Sequence, residues 1–458
     1  MRHLIVLLMA AAVMAGCAPK EKPVKYWLTT SDKKELLAAH EVNWDATVDT
    51  TGVRVDTTTT FQTMEGFGYS LTGGSAQVIN TLSPEKRTTL LKELFTRDPG
   101  IGVSYLRISV GSSDLDDHVF TYDDLPAGGT DPELKQFSLT EDEKNLIPVL
   151  KEILAIAPSI KIMGSPWSAP AWMKTNGSLK GGSLKPDWYA AYAQYLVKYV
   201  QEMALRGVPL DAITVQNEPE NPKNNPSMLM TAEEQIVFVG EHLGPSFKKA
   251  GLKTKIIIFD HNADHPEYPT KVLIDVVARD YIAGSAFHLY LGEVTALSAL
   301  HDFHPDKAIY FTEQWTSARG DFGGDLAWHI KNLVVGAPRN HAVNVLEWNL
   351  AADPNQGPHT DEGGCTECLG ALTIGDSVRR NVSYYIIAHA SRFVPPGSVR
   401  VASIESAGFP NVAYRTPSGE RVLIGLNEGD EQAFVVSEGA RSFHVILPAH
   451  SVATFVWE

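Results

Sequence analysis

The sequence is poor in cysteine, has no excess of basic residues and lacks the signatures of several enzyme classes. Three of its 458 residues are cysteine, too few for the disulfide scaffold of a small secreted domain. Lys and Arg total 39 against 54 Asp and Glu, which gives a net charge of −15. Nucleic acids and anionic membrane surfaces require clustered positive charge, so we expect neither as a partner.

The N-terminus has the pattern of an export signal. Arg2 precedes an apolar run, residues 4–15, that is too short to span a bilayer. Residues 14–17, Met-Ala-Gly-Cys, resemble the bacterial lipobox, in which the cysteine is lipidated and becomes the new N-terminus. We expect residues 1–16 to be removed and Cys17 to carry a lipid. The protein would then be an exported bacterial lipoprotein that contacts the membrane through this anchor alone. The alternative is an ordinary secretory signal with a chance cysteine.

Sequence motifs for several other chemistries are missing or incomplete. The sequence has no G-x-S-x-G elbow, no Walker A loop and no H-E-x-x-H motif. Cys365 and Cys368 have zinc-ligand spacing but supply half of the usual set, and in an exported protein a disulfide that pins a loop is the better interpretation. Residues 260–265 contain two Asp-His pairs, which fit sugar hydrogen bonds or loop structure better than a metal site. We expect no metal ion and no cofactor.

Short apolar runs alternate with helical patterns through the middle of the chain. The runs are β-branched-rich and suit strands buried on both faces. They are residues 66–69, 105–110, 161–165, 212–215, 255–259, 285–290, 308–312 and 343–346. Helical patterns lie between them, with a capped start at Ser83 and capping-box patterns at Thr140 and Thr231. Eight such units predict an α/β fold, a (β/α)8 TIM barrel.

The two ends of the mature chain alternate like antiparallel strands and are rich in Thr, Val and Phe. We expect them to combine into one antiparallel β-sandwich beside the barrel. The predicted segments are a signal at 1–16, a tether and N-terminal extension at 17–40, the first sandwich strands at 41–62, the barrel at 63–394 and the remaining sandwich at 395–458.

Two glutamates directly follow the predicted fourth and seventh strands. Glu218 lies in Asn217-Glu218-Pro219, and Glu313 follows residues 308–312. The C-terminal strand ends of such a barrel form one rim, so both carboxylates are expected there. Cleavage of a glycosidic bond requires a carboxylate pair, one to protonate the leaving oxygen and one to stabilise or attack the oxocarbenium-like carbon.

Aromatic and polar side chains follow the same predicted strand ends. They are Tyr69, Arg107, Asp114, Trp167, Trp172, Asn217, Tyr290, Trp315, Trp348 and Asn349. Indole faces stack on the apolar faces of sugar rings, and the polar groups can hydrogen-bond hydroxyls. Such a mixture is a poor hydrophobic core and predicts a sugar-binding site.

These stretches resemble glycoside hydrolase family 30, the glucosylceramidase-like enzymes of clan A. The matching stretches are Glu65-Gly66-Phe67-Gly68, Leu106-Arg107-Ile108, residues 165–177, Asn217-Glu218-Pro219 and Glu347-Trp348-Asn349-Leu350. The resemblance runs from about residue 42 to the end of the chain. It implies Glu218 as acid/base, Glu313 as nucleophile, and a sugar subsite lined by Arg107, Asp114, Trp167, Asn217, His288, Tyr290 and Trp348.

Finer details resemble the bacterial and fungal endo-β-1,6-glucanases of the family. They are residues 260–266 and residues 356–359 with Cys365 and Cys368. Leu289 stands where animal glucosylceramidases have an aromatic residue. We therefore expect a neutral β-glucan polysaccharide or oligosaccharide as substrate, and a monomer. The alternatives are a β-glucosidase, β-xylosidase or glucosylceramidase of this family, and a non-catalytic surface glycan-binding lipoprotein.

The resemblance also implies a retaining double displacement. Its two carboxyl groups should lie about 5–5.5 Å apart. We expect Glu218 to be protonated near neutral pH, because burial and the charge of Glu313 would both raise its pKa. Arg107 and Tyr290 are expected to keep Glu313 ionised and oriented, and Asn217 to bond the sugar 2-hydroxyl.

Overall fold

The structure is a computed structural model that describes residues 21–404 and 406–458. The predicted signal and the lipidation site Cys17 lie outside the described residues. Within those ranges, eight parallel strands form a closed ring in chain order, which confirms the predicted TIM barrel. The barrel strands are Gly66–Ser70, Tyr105–Val110, Lys161–Pro166, Ala212–Thr214, Lys255–Ala263, Ile282–Gly292, Ala308–Glu313 and Ala342–Asn349.

Helices around the barrel connect these strands. The α-helices in the described ranges are Gly73–Asn80, Pro84–Phe95, Thr140–Lys144, Leu146–Ile156, Tyr189–Leu205, Ala232–Val237, Gly244–Lys249, Glu267–Ile274, Val276–Arg279, Ala296–Phe303, Phe322–His329, Ala337–Arg339 and Val382–Ser391. Two π-helical stretches, Phe238–Leu243 and Ile330–Gly336, join neighbouring α-helices, and Ala171–Met173 and Pro186–Trp188 are short 3-10 helices. No helix in the described part of the chain is long and apolar enough to cross a membrane.

The predicted helix starts are confirmed at two positions and wrong at a third. The Ser83 hydroxyl accepts from the Lys86 amide, and Thr231 forms a complete capping box with Glu234. The helix Thr140–Lys144 begins at Thr140 itself, so the N-cap is Leu139 and no side chain caps it. The Thr140 hydroxyl is instead bonded to Ser138.

Side chains fill the barrel interior in layers. The lower layer is apolar and consists of Tyr105, Met163, Ala212, Ile257, Ala286, Tyr310 and Leu346. Since alternate residues of a strand face the same side, the residues two positions further along also face the interior. In six strands these are Arg107, Ser165, Thr214, His288, Thr312 and Trp348. The interior therefore changes from apolar to polar toward the C-terminal rim.

In the described ranges, nine strands from both ends of the chain form the second sheet, which folds over an apolar core. They are Val24–Thr30, Ala38–Val42, Val53–Thr63, Val399–Ser403, Asn411–Arg415, Arg421–Asn427, Gln432–Glu438, Arg441–Leu447 and Ser451–Trp457. Their pairings are antiparallel except that of Val53–Thr63 with Gln432–Glu438. This confirms a sandwich built from both ends.

The sandwich begins earlier than the first strands predicted at 41–62, because the predicted N-terminal extension already contains a strand from residue 24 onward. Val24–Thr30 pairs with the last strand, Ser451–Trp457, on one side and with Ala38–Val42 on the other. The turn between the first two strands is charged and reads as exposed in the sequence, whereas the partner of the strand Val24–Thr30 lies at the far end of the chain. Five short strands complete the described structure: Thr316–Ser317 pairs with Cys368–Leu369, and Leu372–Ile374 pairs with Ala351–Ala352 and Val378–Arg380.

Candidate active site

Arg107 is the centre of a buried polar network at the C-terminal rim of the barrel. Its side chain is fully buried in the second strand. Nη1 donates to Oε2 of Glu313 at 2.6 Å, and Nη2 donates to Oδ1 of Asn217 at 2.5 Å and to Oδ2 of Asp260 at 2.8 Å. Nε donates to the hydroxyl of Ser165 at 3.0 Å. One guanidinium thus links the second, third, fifth and seventh strands with the loop after the fourth.

Asp260 reaches the interior because the fifth strand changes its alternation. Ile257 belongs to the apolar interior layer, so regular alternation would bring Phe259 inward. Phe259 and Asp260 instead have φ angles of 71° and 65°, and the register with the sixth strand shifts there. This β-bulge leaves Phe259 packed outside the barrel against Phe287 and turns Asp260 inward.

Asp260 is fully buried, yet it is held as a carboxylate. Burial alone would raise its pKa, but the positive charges of Arg107 and His288 hold that pKa well below its usual range. Its oxygens accept hydrogen bonds from Arg107, Ser165, Thr214, Thr312 and His288. This role of Asp260 was not predicted from the sequence. Ser165, Thr214 and Thr312 are polar residues within otherwise apolar buried strands. This pattern could have indicated that they hydrogen-bond a buried carboxylate.

Glu218 follows the fourth strand and is almost completely buried. Its φ of 44° is in the left-handed region, a strained conformation for a residue with a side chain. Oε2 accepts from Asn221 at 2.7 Å and from Asn224 at 3.2 Å. Oε1 lies 3.2 Å from Nδ1 of His288. The two asparagines, which the sequence analysis missed, lie three and six residues further along the same loop.

Glu313 ends the seventh strand, where a register shift pairs it with His288. Oε2 accepts from Arg107 at 2.6 Å, and Oε1 accepts from the Tyr290 hydroxyl at 2.9 Å. The expected orientation of Glu313 by Arg107 and Tyr290 is therefore present. Its Oε1 also lies 3.7 Å from Nδ1 of His288.

The two glutamates are close neighbours across the imidazole of His288. The same ring nitrogen, Nδ1, is 3.2 Å from Glu218 and 3.7 Å from Glu313. Two oxygens so close to one atom cannot be as far apart as the upper part of the roughly 6.5–9.5 Å range of inverting glycosidases. This arrangement fits a nucleophile and an acid/base that act on the same carbon–oxygen bond.

The charges around Glu218 place the proton of the free site on His288. Burial raises the pKa of Glu218, but the hydrogen bond and charge of His288 lower it to about 2. Burial lowers the pKa of His288, but Glu313, Asp260 and Glu218 raise it to about 9. The expectation of a protonated Glu218 is therefore wrong for the free site, because it considered the charge of Glu313 and not that of His288. Burial raises the pKa of Glu313, although His288 and Arg107 oppose this.

Tryptophans and a disulfide form the apolar side of the site. The rings of Trp167 and Trp348 lie 5.6 Å apart, and the guanidinium of Arg107 lies 4.8 Å from the first and 5.8 Å from the second. Trp315 and the Cys365–Cys368 disulfide belong to the same apolar cluster. The structure thus brings the three tryptophans together with the carboxylates that they were predicted to accompany.

Asp114 adds a buried carboxyl group to the site. Burial and the nearby charge of Glu313 raise its pKa to about 8. It is therefore protonated at neutral pH and can donate a hydrogen bond to a sugar hydroxyl.

Two predicted rim aromatics have other partners. The Tyr69 hydroxyl donates to the Ser383 carbonyl, behind the barrel wall, and the indole of Trp172 donates to the Asp123 carbonyl and packs edge-on against Trp188.

Comparisons with known proteins agree with this geometry. Residues 64–394 match the glycosyl hydrolase family 30 TIM-barrel domain, and residues 397–455 match the glycosyl hydrolase family 30 beta sandwich domain. These ranges correspond to the barrel and to the C-terminal strands of the sandwich.

Individual relatives align along nearly the whole chain. The endo-1,6-β-D-glucanase neg1 of Aspergillus fumigatus is 34% identical over 445 residues, which cover 91% of this chain and 88% of that protein. The lysosomal acid glucosylceramidase of Mus musculus is 29% identical over 423 residues, 87% of this chain and 81% of that protein. The solved structure of the endo-β1,6-glucanase BT3312 has a TM-score of 0.89 at 35% identity and covers 95% of this chain and 99% of that chain.

Proposed function

The chain belongs to glycosyl hydrolase family 30, and on this basis we propose that it hydrolyses β-1,6-linked glucan with retention of anomeric configuration. The observation that supports this reaction type is that Glu218 and Glu313 lie 3.2 and 3.7 Å from the same ring nitrogen of His288. A glycoside with its anomeric carbon beside Glu313 and its leaving oxygen beside Glu218 would meet both groups at once.

In the first step Glu313 attacks the anomeric carbon, and Glu218 delivers a proton to the leaving oxygen. That proton rests on Nδ1 of His288 and passes to Oε1 of Glu218 along their 3.2 Å contact. Water then attacks the glycosyl-enzyme, Glu218 takes up its proton, and the proton returns to His288. Each turnover therefore restores the charge distribution of the free site.

Three residues position the reacting groups. Arg107 and Tyr290 hold both oxygens of Glu313, so its attack requires little reorganisation. Arg107 also takes the amide oxygen of Asn217, which leaves the Nδ2 group for the 2-hydroxyl of the sugar. That hydrogen bond strengthens in the transition state.

The preference for β-1,6-glucan is supported by the greater likeness to the endo-1,6-β-glucanases than to the glucosylceramidase. Leu289, between His288 and Tyr290, is consistent with it. Linear β-1,6-glucan, aryl β-glucosides, aryl β-xylosides and glucosylceramide should be digested in parallel, with time-resolved sizing of the products. Early intermediate-sized oligosaccharides indicate endo cleavage, and a clear preference for another of these substrates would replace β-1,6-glucan in the proposal.

Proton NMR during hydrolysis tests the reaction type. The first-formed product should be the β-anomer, and Glu313→Gln should lose at least about 10³-fold in kcat. A mechanism-based fluoroglycoside should label the peptide that contains Glu313. Glu220→Gln is the matched control, because this carboxylate lies on the same loop as Glu218 but is bonded to His265. An α-anomer as the first product would overturn the retaining mechanism.

We also propose that the protein is exported and lipid-anchored through Cys17. The basic, apolar and Met-Ala-Gly-Cys pattern supports this, and the Cys365–Cys368 disulfide suits an oxidising compartment. The wild type should partition with membranes, and Cys17→Ala behind a cleavable secretory signal should be released. Unchanged partitioning of that variant would reject the anchor.

A further inference from the structure

Two histidines converge on the acid/base Glu218, and the hydrolytic mechanism uses only one of them. Nδ1 of His261 lies 3.7 Å from Oε1 of Glu218, and Nδ1 of His288 lies 3.2 Å from the same oxygen. All three ligand atoms lie within 4.8 Å of one another. Among the described residues, nothing hydrogen-bonds Nδ1 of His261, although this atom is shielded from solvent. An unpartnered buried nitrogen that faces a carboxylate needs an explanation.

Two of the three ligand separations in this triad fit a tetrahedral metal ion. Nitrogen and oxygen ligands at about 2.0–2.1 Å from a tetrahedral zinc lie roughly 3.3–3.4 Å from each other. The distances of 3.2 and 3.7 Å from Glu218 fall on either side of that value. The planes of His261 and His288 are 87° apart, with ring centroids at 6.4 Å, so the two imidazoles are not stacked on each other.

The other candidate cluster in the described residues, His301, Asp302 and His341, lacks this convergence. Its two imidazoles are stacked 3.6 Å apart with planes 3° from parallel. The lone pairs of parallel stacked rings lie in parallel planes and do not meet at one ion. Of these two clusters, the triad in the active site is therefore the better candidate for a metal site.

We propose that Glu218, His261 and His288 form an inhibitory site for Zn²⁺ or another transition-metal ion with the same preference for imidazole. The inhibition rests on the proposed function, because it requires Glu218 to be the acid/base. An ion on Oε1 of Glu218 replaces the proton that Glu218 shares with His288, so the leaving oxygen cannot be protonated. Two imidazoles and a carboxylate are typical zinc ligands. Mg²⁺ and Ca²⁺ prefer oxygen ligands and should not bind here.

The test is calorimetric titration of tag-free protein with ZnCl2, in parallel with hydrolysis of an aryl β-glucoside or β-1,6-glucan at rising Zn²⁺. We expect saturable binding, inhibition competitive with substrate, full recovery with EDTA and no inhibition by Mg²⁺. His261→Ala should weaken both binding and inhibition by at least about 10-fold, since it removes one of three protein ligands. His265→Ala, which removes an exposed histidine of the same loop, should leave both unchanged.

Equal inhibition of the wild type and His261→Ala, or Zn²⁺ binding without inhibition, would overturn the proposal. His261→Gln, which retains a side chain of similar length, repeats the test if the alanine variant melts at a lower temperature. Calorimetry measures Zn²⁺ binding even if neither sugar substrate is hydrolysed. Failure of the proposed substrate can therefore be distinguished from failure of the metal site.

Discussion

Asp260→Asn tests where the site keeps its proton. The substitution preserves the size of the side chain and removes the negative charge, 3.1 Å from Nε2 of His288. In the wild type, the pKa of His288 is raised to about 9, with Asp260 among the charges that raise it. Without this carboxylate, the imidazolium loses a neighbour that stabilises its charged form, so the pKa of His288 should fall.

The magnitude follows from the contact. An opposite charge at hydrogen-bond distance shifts a pKa by roughly 1 to 3 pH units. The pKa of His288 should therefore fall from about 9 to between roughly 6 and 8 in the variant. This corresponds to about 1.4–4 kcal/mol between the two protonation states. The active free enzyme needs this proton, so the basic limb of kcat/KM against pH should move down by the same amount.

The assay is a pH profile of kcat/KM, which reports groups of the free enzyme. Asp264→Asn is the matched control, because it removes a partly exposed carboxylate from the loop that follows Asp260. Arg107 also loses a partner in Asp260→Asn, so thermal unfolding must show that the variant is folded at the assay temperature. A basic limb within about 0.5 pH units of the wild type in a folded Asp260→Asn enzyme would refute the assignment of the proton to His288.

Three further outcomes are expected. Burial raises the pKa of Asp142 from 3.8 to about 8, so the folded state retains a proton that the unfolded chain loses. The free energy of unfolding should therefore fall as pH rises from about 4 to 8. Asp142→Asn should flatten that slope in thermal scans. Replacing Cys365 and Cys368 with Ser should raise KM for β-1,6-glucan more than it lowers kcat, because the disulfide belongs to the same apolar cluster as the three tryptophans; unchanged kinetics would contradict this. Thr231→Ala should lower the free energy of unfolding by about 1 kcal/mol in urea titrations, since it removes the capping box.

Local patterns in the sequence were sufficient to predict the barrel and its pair of glutamates, Glu218 and Glu313. Each barrel strand is a short apolar run whose composition suits burial on both faces, and this can be recognised without knowing its neighbours. Because parallel strands of a barrel end at one rim, Glu218 and Glu313 could be placed together from their positions after two such runs. The tryptophans Trp167, Trp315 and Trp348 could be placed there for the same reason.

Tertiary structure decided what depends on contacts between distant segments. Strict alternation puts Phe259 inside the barrel, and the bulge that replaces it with Asp260 is set by pairing with the sixth strand. The strand Val24–Thr30 has its partner at the other end of the chain, so the local sequence does not reveal that it belongs to the sandwich. The pKa of Glu218 depends on a buried imidazole from another strand. The repeat of apolar runs along the sequence thus determined the fold and the position of the two glutamates. Their charge states depend on groups that only the tertiary structure brings next to them.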